Sequence, residues 1–154
     1  AGTDPGHAHR HPPAPDVELL PLCDEELLVA LPDGHPRAAQ RSVELADLRD
    51  ETWIEGAHPD CLGPLADLGA ALGGPPRIGF TCHDWGGKQA LVAGGAGVML
   101  VPRLAHETIG SGIHLRPTTP ALPTRRLFAA VHHPPFRTPA TQAMLDLLPT
   151  LLPR

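Results

Sequence analysis

The side chains best suited to bind a small molecule lie in two short polar segments, residues 56–58 and 81–84. Each segment follows a predicted strand and precedes a predicted helix. In an open α/β sheet, ligands bind beyond the carboxyl ends of the strands, and helix N-termini there offer unpaired N–H groups whose positive partial charge suits an anion. We therefore predict a site for a small, anionic molecule at Gly56, Ala57, His58, Thr81, Cys82, His83 and Asp84.

A simpler interpretation of the same segments stays open. Asp60 and Asp84 are suited to cap the helices that follow them, in which case the loops only turn the chain. Both interpretations hold together, because a capped helix still has spare N–H groups. Thr81 and His83 would then add hydrogen bonds to a ligand, and His58 can carry a positive charge in mildly acidic solution.

The residues give little support for catalysis or metal binding. Cys82 and His83 are adjacent, whereas a nucleophile and its base normally meet through the fold, because successive side chains diverge. The two serines, Ser42 and Ser111, lie outside any G-x-S-x-G pattern. The HxHxH pattern at residues 7–11 suits zinc, nickel or copper, but no cysteine or carboxylate cluster completes it, so we interpret it as a solvated loop. We expect no enzyme activity, no metal and no cofactor.

Alternating strands and helices must position the two segments. The predicted strands, chosen for their apolar and β-branched residues, cover residues 17–22, 27–31, 52–55, 78–80, 98–101, 113–115 and 127–131. The predicted helices cover residues 44–48, 60–72, 84–93 and 104–109, and a last helix begins at Pro139. The side chains of the last helix that should face inward are Ala140, Met144, Leu147 and Leu148. This alternation implies right-handed crossovers and a mainly parallel sheet.

The most regular stretch, residues 84–102, predicts a capped helix, a glycine break and a buried strand. Asp84 caps the helix by accepting a backbone N–H. Gly94 and Gly95 supply the left-handed conformations that end it. Residues 98–101 form an apolar run short enough to be a strand buried on both faces, and a proline follows at once.

Composition points to one compact domain with a substantial core, since 42% of the 154 residues are hydrophobic and 19% are charged. A net charge of −5, with scattered arginines, argues against direct nucleic-acid binding. Three cysteines without CxxC spacing fit a reducing cytoplasm better than a disulfide framework. No apolar run reaches the about 18 residues that a membrane span requires, and no secretory signal is visible.

Four segments resemble the effector-binding domain of LysR-type transcriptional regulators. They are ELLVALPDGHP at residues 26–36, SVELADLRDETWI at 42–54, LVAGGAGVMLVP at 91–102 and GIHLRP at 112–117. They follow the family's order and spacing, and together they span most of residues 17–148. The resemblance implies an α/β fold with two lobes around a cleft, similar to periplasmic binding proteins.

By that resemblance, residues 27–126 form the second lobe, and residues 17–26 and 127–154 belong to an incomplete first lobe. Residues 1–16, rich in proline and histidine, are expected to be a flexible segment. The early part of the family's first lobe and its DNA-binding helix-turn-helix have no counterpart in this sequence. The chain is therefore either a fragment or a form with a reduced first lobe, and both alternatives stay open.

The resemblance implies the effector-sensing domain of a cytoplasmic transcriptional regulator. Such a domain would bind a small, anionic effector, self-associate as a dimer or tetramer, and reach DNA only through an N-terminal domain that this chain lacks. We expect no membrane partner. The alternative is a stand-alone small-molecule binding protein of the periplasmic-binding-protein type, and an enzyme built on the same scaffold ranks last.

Overall fold

The computed structural model describes residues 16–56 and 65–152. The strands are β1 (Val17–Glu25), β2 (Leu27–Pro32), β3 (Val43–Glu44), β4 (Thr52–Glu55), β5 (Arg77–Thr81), β6 (Met99–Pro102), β7 (Ile113–Arg116), β8 (Thr118–Thr119) and β9 (Arg125–His132). The α-helices are α1 (Leu65–Leu72), α2 (Trp85–Ala93) and α3 (Pro139–Leu151). Short 3₁₀ helices occur at Leu45–Leu48 and Arg103–Thr108. Every predicted strand is present, most of them with a residue or more added at an end.

The chain divides into two compact units. Among the described residues, those from 25 to 125 form one unit, and residues 16–24 together with 126–152 form the other. In the first unit, β2 pairs with β6 on one side and with β7 on the other, antiparallel to both. Val98, just before β6, bridges in parallel to Trp53 of β4, and β4 pairs in parallel with β5. A separate two-residue parallel pair joins β3 and β8.

The sheet is therefore mixed, with a smaller parallel share than the sequence predicted. The parallel pair of β4 and β5 is joined through α1, and α2 then connects β5 to β6. A helical crossover returns the chain to the same end of the sheet and so produces parallel strands. No single helix connects β2 to β6 or β7, so nothing in those connections forces a parallel arrangement. The α/β class is confirmed.

The core of this unit lies on the two faces of β2. Alternate side chains of a strand point to opposite faces, and Val29, Ala30 and Leu31 are all fully buried. Val29 and Leu31 belong to a cluster that includes Leu68 and Leu72 of α1. Ala30 belongs to a second cluster with Val92 of α2 and Met99 and Val101 of β6. The sheet is thus covered by α1 on one face and α2 on the other, as strands buried on both faces require.

Helix α2 begins and ends where the sequence predicted. The Asp84 carboxylate accepts the Gly87 N–H at 2.5 Å, which confirms the cap. At the other end, the Gly95 N–H donates to the Val92 carbonyl and the Ala96 N–H to the Leu91 carbonyl, both at 2.9 Å. This is the Schellman pattern. Gly95 holds the left-handed conformation with φ +74°. Gly94 stays right-handed with φ −76°, so its predicted left-handed role was wrong.

A second glycine matters because two strands approach closely. A Cβ on Gly97 would lie 2.3 Å from the Thr52 carbonyl oxygen. That oxygen accepts the Val98 N–H at 2.8 Å, and the Val98 carbonyl accepts the Ile54 N–H at 2.9 Å. Gly97 therefore allows the segment entering β6 to bond to β4.

In the other unit, β1 and β9 form a two-stranded sheet, and α3 follows β9. Thr138 caps α3 by accepting the Thr141 N–H, as predicted. The predicted inward face of α3 was wrong. Ala140 is exposed, Met144 is 54% and Leu147 is 48% exposed, and α3 has no buried residue among its described side chains. A two-stranded sheet offers little surface for a helix to cover.

Candidate ligand-binding site

The parallel pairing of β4 and β5 brings the two predicted binding segments to one edge of the sheet. Glu55, the last residue of β4, lies opposite Thr81, the last residue of β5. The Cys82 N–H then donates to the Glu55 carbonyl oxygen at 2.9 Å. Gly56 and the segment from Thr81 to Asp84 therefore leave the sheet side by side. Ala57 and His58, like the predicted cap Asp60, lie outside the described residues.

Two backbone donors at this edge are already occupied by carboxylates. The Gly56 N–H donates to Oε1 of Glu55 at 2.8 Å, and the Gly87 N–H donates to the Asp84 carboxylate. Sequence reasoning placed Glu55 at the strand end where the loop begins, left it out of the predicted site residues and missed this contact. Its position at a strand end, directly before a glycine of the candidate site, was the available signal.

Other polar groups at this edge make no hydrogen bond within residues 16–56 and 65–152. The N–H groups of Trp85 and Gly86, in the first turn of α2, have no hydrogen-bond partner there. Thr81 and His83 are exposed, and their side chains make no hydrogen bond with the described residues. The edge therefore offers two amides, a hydroxyl and an imidazole to a ligand.

Lys88, in the helix that begins at this edge, is a buried basic residue that sequence reasoning did not single out. It is only 6% exposed, and together with Val92 it forms the buried side of α2. Its ammonium makes no ion pair or hydrogen bond with any described residue. The signal was present in the sequence, because Lys88 is the only lysine beside eleven arginines and lies one turn before Val92 on the apolar face.

Within the described residues, the cysteine–histidine pair and the metal cluster that were considered from the sequence are not assembled. The Cys82 thiol lies 3.5 Å from the Asp84 carbonyl oxygen and contacts no imidazole that the structure describes. No group of three or more histidine, cysteine or acidic side chains is placed to hold a metal ion within that part of the chain. The histidines at positions 7, 9 and 11 lie outside it. None of the described helices is both long and apolar enough to cross a membrane.

These features define an α/β domain with ligand-binding potential at the carboxyl edge of its parallel strands. The family model of the LysR substrate binding domain matches residues 2–152, so the chain belongs to that family. The resemblance drawn from the four sequence segments is confirmed.

The curated relatives are bacterial transcriptional regulators. The chain is 30% identical over 139 residues to the HTH-type transcriptional regulator TtuA of Agrobacterium vitis, covering 86% of this chain and 46% of TtuA. It is 29% identical over 126 residues to the Hca operon transcriptional activator HcaR of Escherichia coli, covering 79% of this chain and 42% of HcaR. The chain thus spans less than half the length of these relatives.

Solved structures of related domains share the fold. The effector binding domain of QuiR, in complex with shikimate, has a TM-score of 0.69 and 25% identity, over 90% of this chain and 66% of that domain. The CcmR regulatory domain of Synechocystis PCC6803, in complex with 2-PG, has a TM-score of 0.74 and 21% identity, over 92% and 70%. HinK, a LysR family transcriptional regulator of Pseudomonas aeruginosa, has a TM-score of 0.76 and 23% identity, over 94% and 52%.

Proposed function

We propose that this chain senses a small-molecule effector for a LysR-type transcriptional regulator, and that the effector binds at the shared edge of β4 and β5. The observation that carries this proposal is the Cys82 N–H to Glu55 carbonyl bond of 2.9 Å. It holds the loops after both strands together in front of the α2 N-terminus. Ligands bind beyond the carboxyl ends of strands in sheets of this kind, and a helix N-terminus there favours an anion.

The contacts available to the effector follow from the groups left over at this edge. The N–H groups of Trp85 and Gly86 point out of the first turn of α2, as the first amides of a helix do. Thr81 and His83 add a hydroxyl and an imidazole. We place Gly56, Ala57, His58, Thr81, Cys82, His83 and Asp84 in this site. Shikimate and 2-PG, which related domains bind, are reasonable first probes.

The remaining parts of the proposal concern the whole regulator. Residues 27–126 are the second lobe, and residues 17–26 and 127–154 contribute to the first. DNA contact is made by an N-terminal domain outside this chain, consistent with relatives of which the match covers less than half the length. The regulator acts in the cytoplasm as a dimer or tetramer and catalyses no reaction. Relatives that regulate transcription favour this function over a stand-alone binding protein.

The site is tested by mapping a bound ligand on the chain. Amide chemical shifts are recorded while small acids, including shikimate, are added at up to millimolar concentration. We expect the perturbed amides to cluster at residues 81–86. Binding of no member of the panel, or perturbation confined to the opposite end of the sheet, contradicts the proposal.

Two side-chain variants then test the predicted contacts. Thr81→Val and His83→Ala should each weaken binding by about 0.5–1.5 kcal/mol, the contribution of one hydrogen bond. Thr124→Val, at another exposed threonine, is the matched control and should bind normally. Circular dichroism checks that each variant is folded. Unchanged affinity in both site variants would place the effector elsewhere.

A further inference from the structure

We propose that Lys88 selects for effectors that carry an acid group, by supplying the cation that pairs with a carboxylate or phosphate. This inference rests on the proposed binding site. Lys88 lies in the second turn of α2, four residues after the Asp84 cap. It is the one lysine of the chain. It lies outside the four segments that resemble the LysR family.

The burial of Lys88 is unusual for its chemistry. Lysine is almost never fully buried unless its charge is paired, yet Lys88 is 6% exposed and makes no ion pair or hydrogen bond with any described residue. Its neighbour on the buried side of α2 is Val92, which belongs to an apolar cluster of β2 and β6. An apolar side chain would suit that face better, since burying an unpaired ammonium is costly. This position makes the Lys88 ammonium a candidate for contact with a ligand.

The direction of the side chain links this charge to the candidate site. Helix side chains lean toward the helix N-terminus, so we infer that the Lys88 stem runs back along α2 toward its first turn. The ammonium also keeps some contact with solvent. Among the described residues, two side-chain nitrogens are inaccessible to solvent and lack a hydrogen-bond partner, Trp53 Nε1 and Arg116 Nε. Lys88 Nζ is not among them, so it is accessible to solvent.

The acidic groups nearby do not serve as the partner of Lys88. The Asp84 carboxylate accepts the Gly87 N–H, and the Glu55 carboxylate accepts the Gly56 N–H. Neither forms an ion pair with Lys88 within 4.0 Å. Each carboxylate of the edge thus has a donor from its own loop, whereas the ammonium has no acceptor. An acid group of a ligand, bound against the amides of Trp85 and Gly86, would supply that acceptor.

The single lysine makes a direct test possible. Protein labelled with ¹³C at the lysine ε-carbon gives one side-chain resonance, which is that of Lys88. We titrate it with shikimate, with its uncharged methyl ester and with inorganic phosphate. Shikimate or phosphate should move the resonance in a saturable way, and the ester should not. A resonance that no acid moves, or that the ester moves equally, overturns the proposal.

Substitution separates charge from packing. Lys88→Met keeps the apolar stem and removes the ammonium, so affinity for the acid that moves the resonance should fall about ten- to a hundredfold, the range for a charged hydrogen bond. The thermal unfolding midpoint should not fall, because the ammonium makes no ion pair or hydrogen bond with the described residues. Lys88→Arg should retain much of the affinity. Arg41→Met, which removes an exposed positive charge, is the control and should bind as the wild type.

The outcomes distinguish this inference from the proposed function. If Lys88→Met binds normally while amide shifts still cluster at residues 81–86, the site stands and the role of Lys88 is refuted. In that case the role of Lys88 is structural: its stem covers apolar surface and its ammonium is hydrated. If the amide shifts lie elsewhere, the proposed site itself fails.

Discussion

Glu25 and Arg125, the first and last residues of the larger unit, form an ion pair across 100 positions of sequence. The Glu25 side chain is 1% exposed and that of Arg125 is 26% exposed. Glu25 also accepts the Leu104 N–H at 2.9 Å. One buried carboxylate thus fastens the beginning of the unit to its end and to the segment after β6.

Removal of that carboxylate charge should destabilise the unit. Glu25→Gln removes the buried carboxylate charge that pairs with the Arg125 guanidinium, and we expect a loss of about 1–3 kcal/mol in the free energy of unfolding. Urea denaturation followed by tryptophan fluorescence gives the measurement. Glu26→Gln is the matched control, because Glu26 pairs with Arg103 where both side chains are more than half exposed, and such pairs contribute about 0–1 kcal/mol. Equal effects of the two substitutions would show that burial of Glu25 has no energetic consequence.

A methyl group at position 97 should disturb the contact between β4 and β6. In Gly97→Ala the new Cβ would meet the Thr52 carbonyl oxygen at 2.3 Å, so the strands must separate, at a cost of about 1–3 kcal/mol. Thermal unfolding measures the loss. Gly74→Ala is the control, since the nearest atom to its Cβ is a side-chain nitrogen of Arg49 at 3.9 Å. A wild-type midpoint in Gly97→Ala would contradict the close approach.

The cap of α2 should depend on an oxygen acceptor rather than on charge. Asp84→Ala leaves the Gly87 N–H without its side-chain acceptor and should cost about 1 kcal/mol, whereas Asp84→Asn keeps an acceptor and should cost only a few tenths. Amide hydrogen exchange at residues 85–88 reports the local effect. Similar exchange rates in the two variants would argue that the carboxylate charge, not the cap geometry, stabilises this turn.

DNA binding should be absent from this chain on its own. The net charge is −5, and charge-driven binding to phosphates requires clustered lysine and arginine. A gel-shift titration at low salt, with random and promoter-derived duplexes, should show no retarded band below micromolar protein. Sequence-selective binding that weakens with salt would refute this expectation.

Self-association should involve the apolar surface of α3. Met144 and Leu147 lie three residues apart, and so on one face, with 54% and 48% of their surface exposed. Sedimentation velocity at micromolar concentration should detect dimers or larger species. The double substitution Met144→Glu and Leu147→Glu should shift the distribution to monomer, whereas Ala121→Glu, at an exposed position outside α3, should not. A wild-type chain that is monomeric throughout contradicts the prediction.

Local features of the fold were predictable because local residues determine them. The Asp84 cap, the glycine stop at Gly95 and the buried strand around Val98 to Val101 each follow from side-chain chemistry within a few positions. The shared edge of β4 and β5 was predictable too, since strands joined by a helix run parallel.

Features set by distant partners could not be read from the sequence. The antiparallel direction of β2 depends on strands that no single crossover helix joins to it. The apolar face of α3 was detected correctly as a pattern, but a pattern does not show whether a partner covers it. The position of Lys88 on the apolar side of α2 was visible in the sequence, but the extent of its burial depends on packing of α2, which the sequence does not give. Occupation of the Gly56 amide by Glu55 likewise depends on a side-chain conformation.

The central position of β2 has a consequence for synthesis of the protein. Both neighbours of β2 lie downstream, with β6 beginning about 70 residues after β2 ends and β7 later still. At a translation rate of about 5–20 residues per second, the ribosome exposes this apolar strand for roughly 3–13 s before its first pairing partner is made. During that interval, chaperones that act on nascent chains can shield the apolar segment LLVAL from aggregation. Expression at lower temperature, or with an added ribosome-associated chaperone, should therefore improve the yield of folded chain.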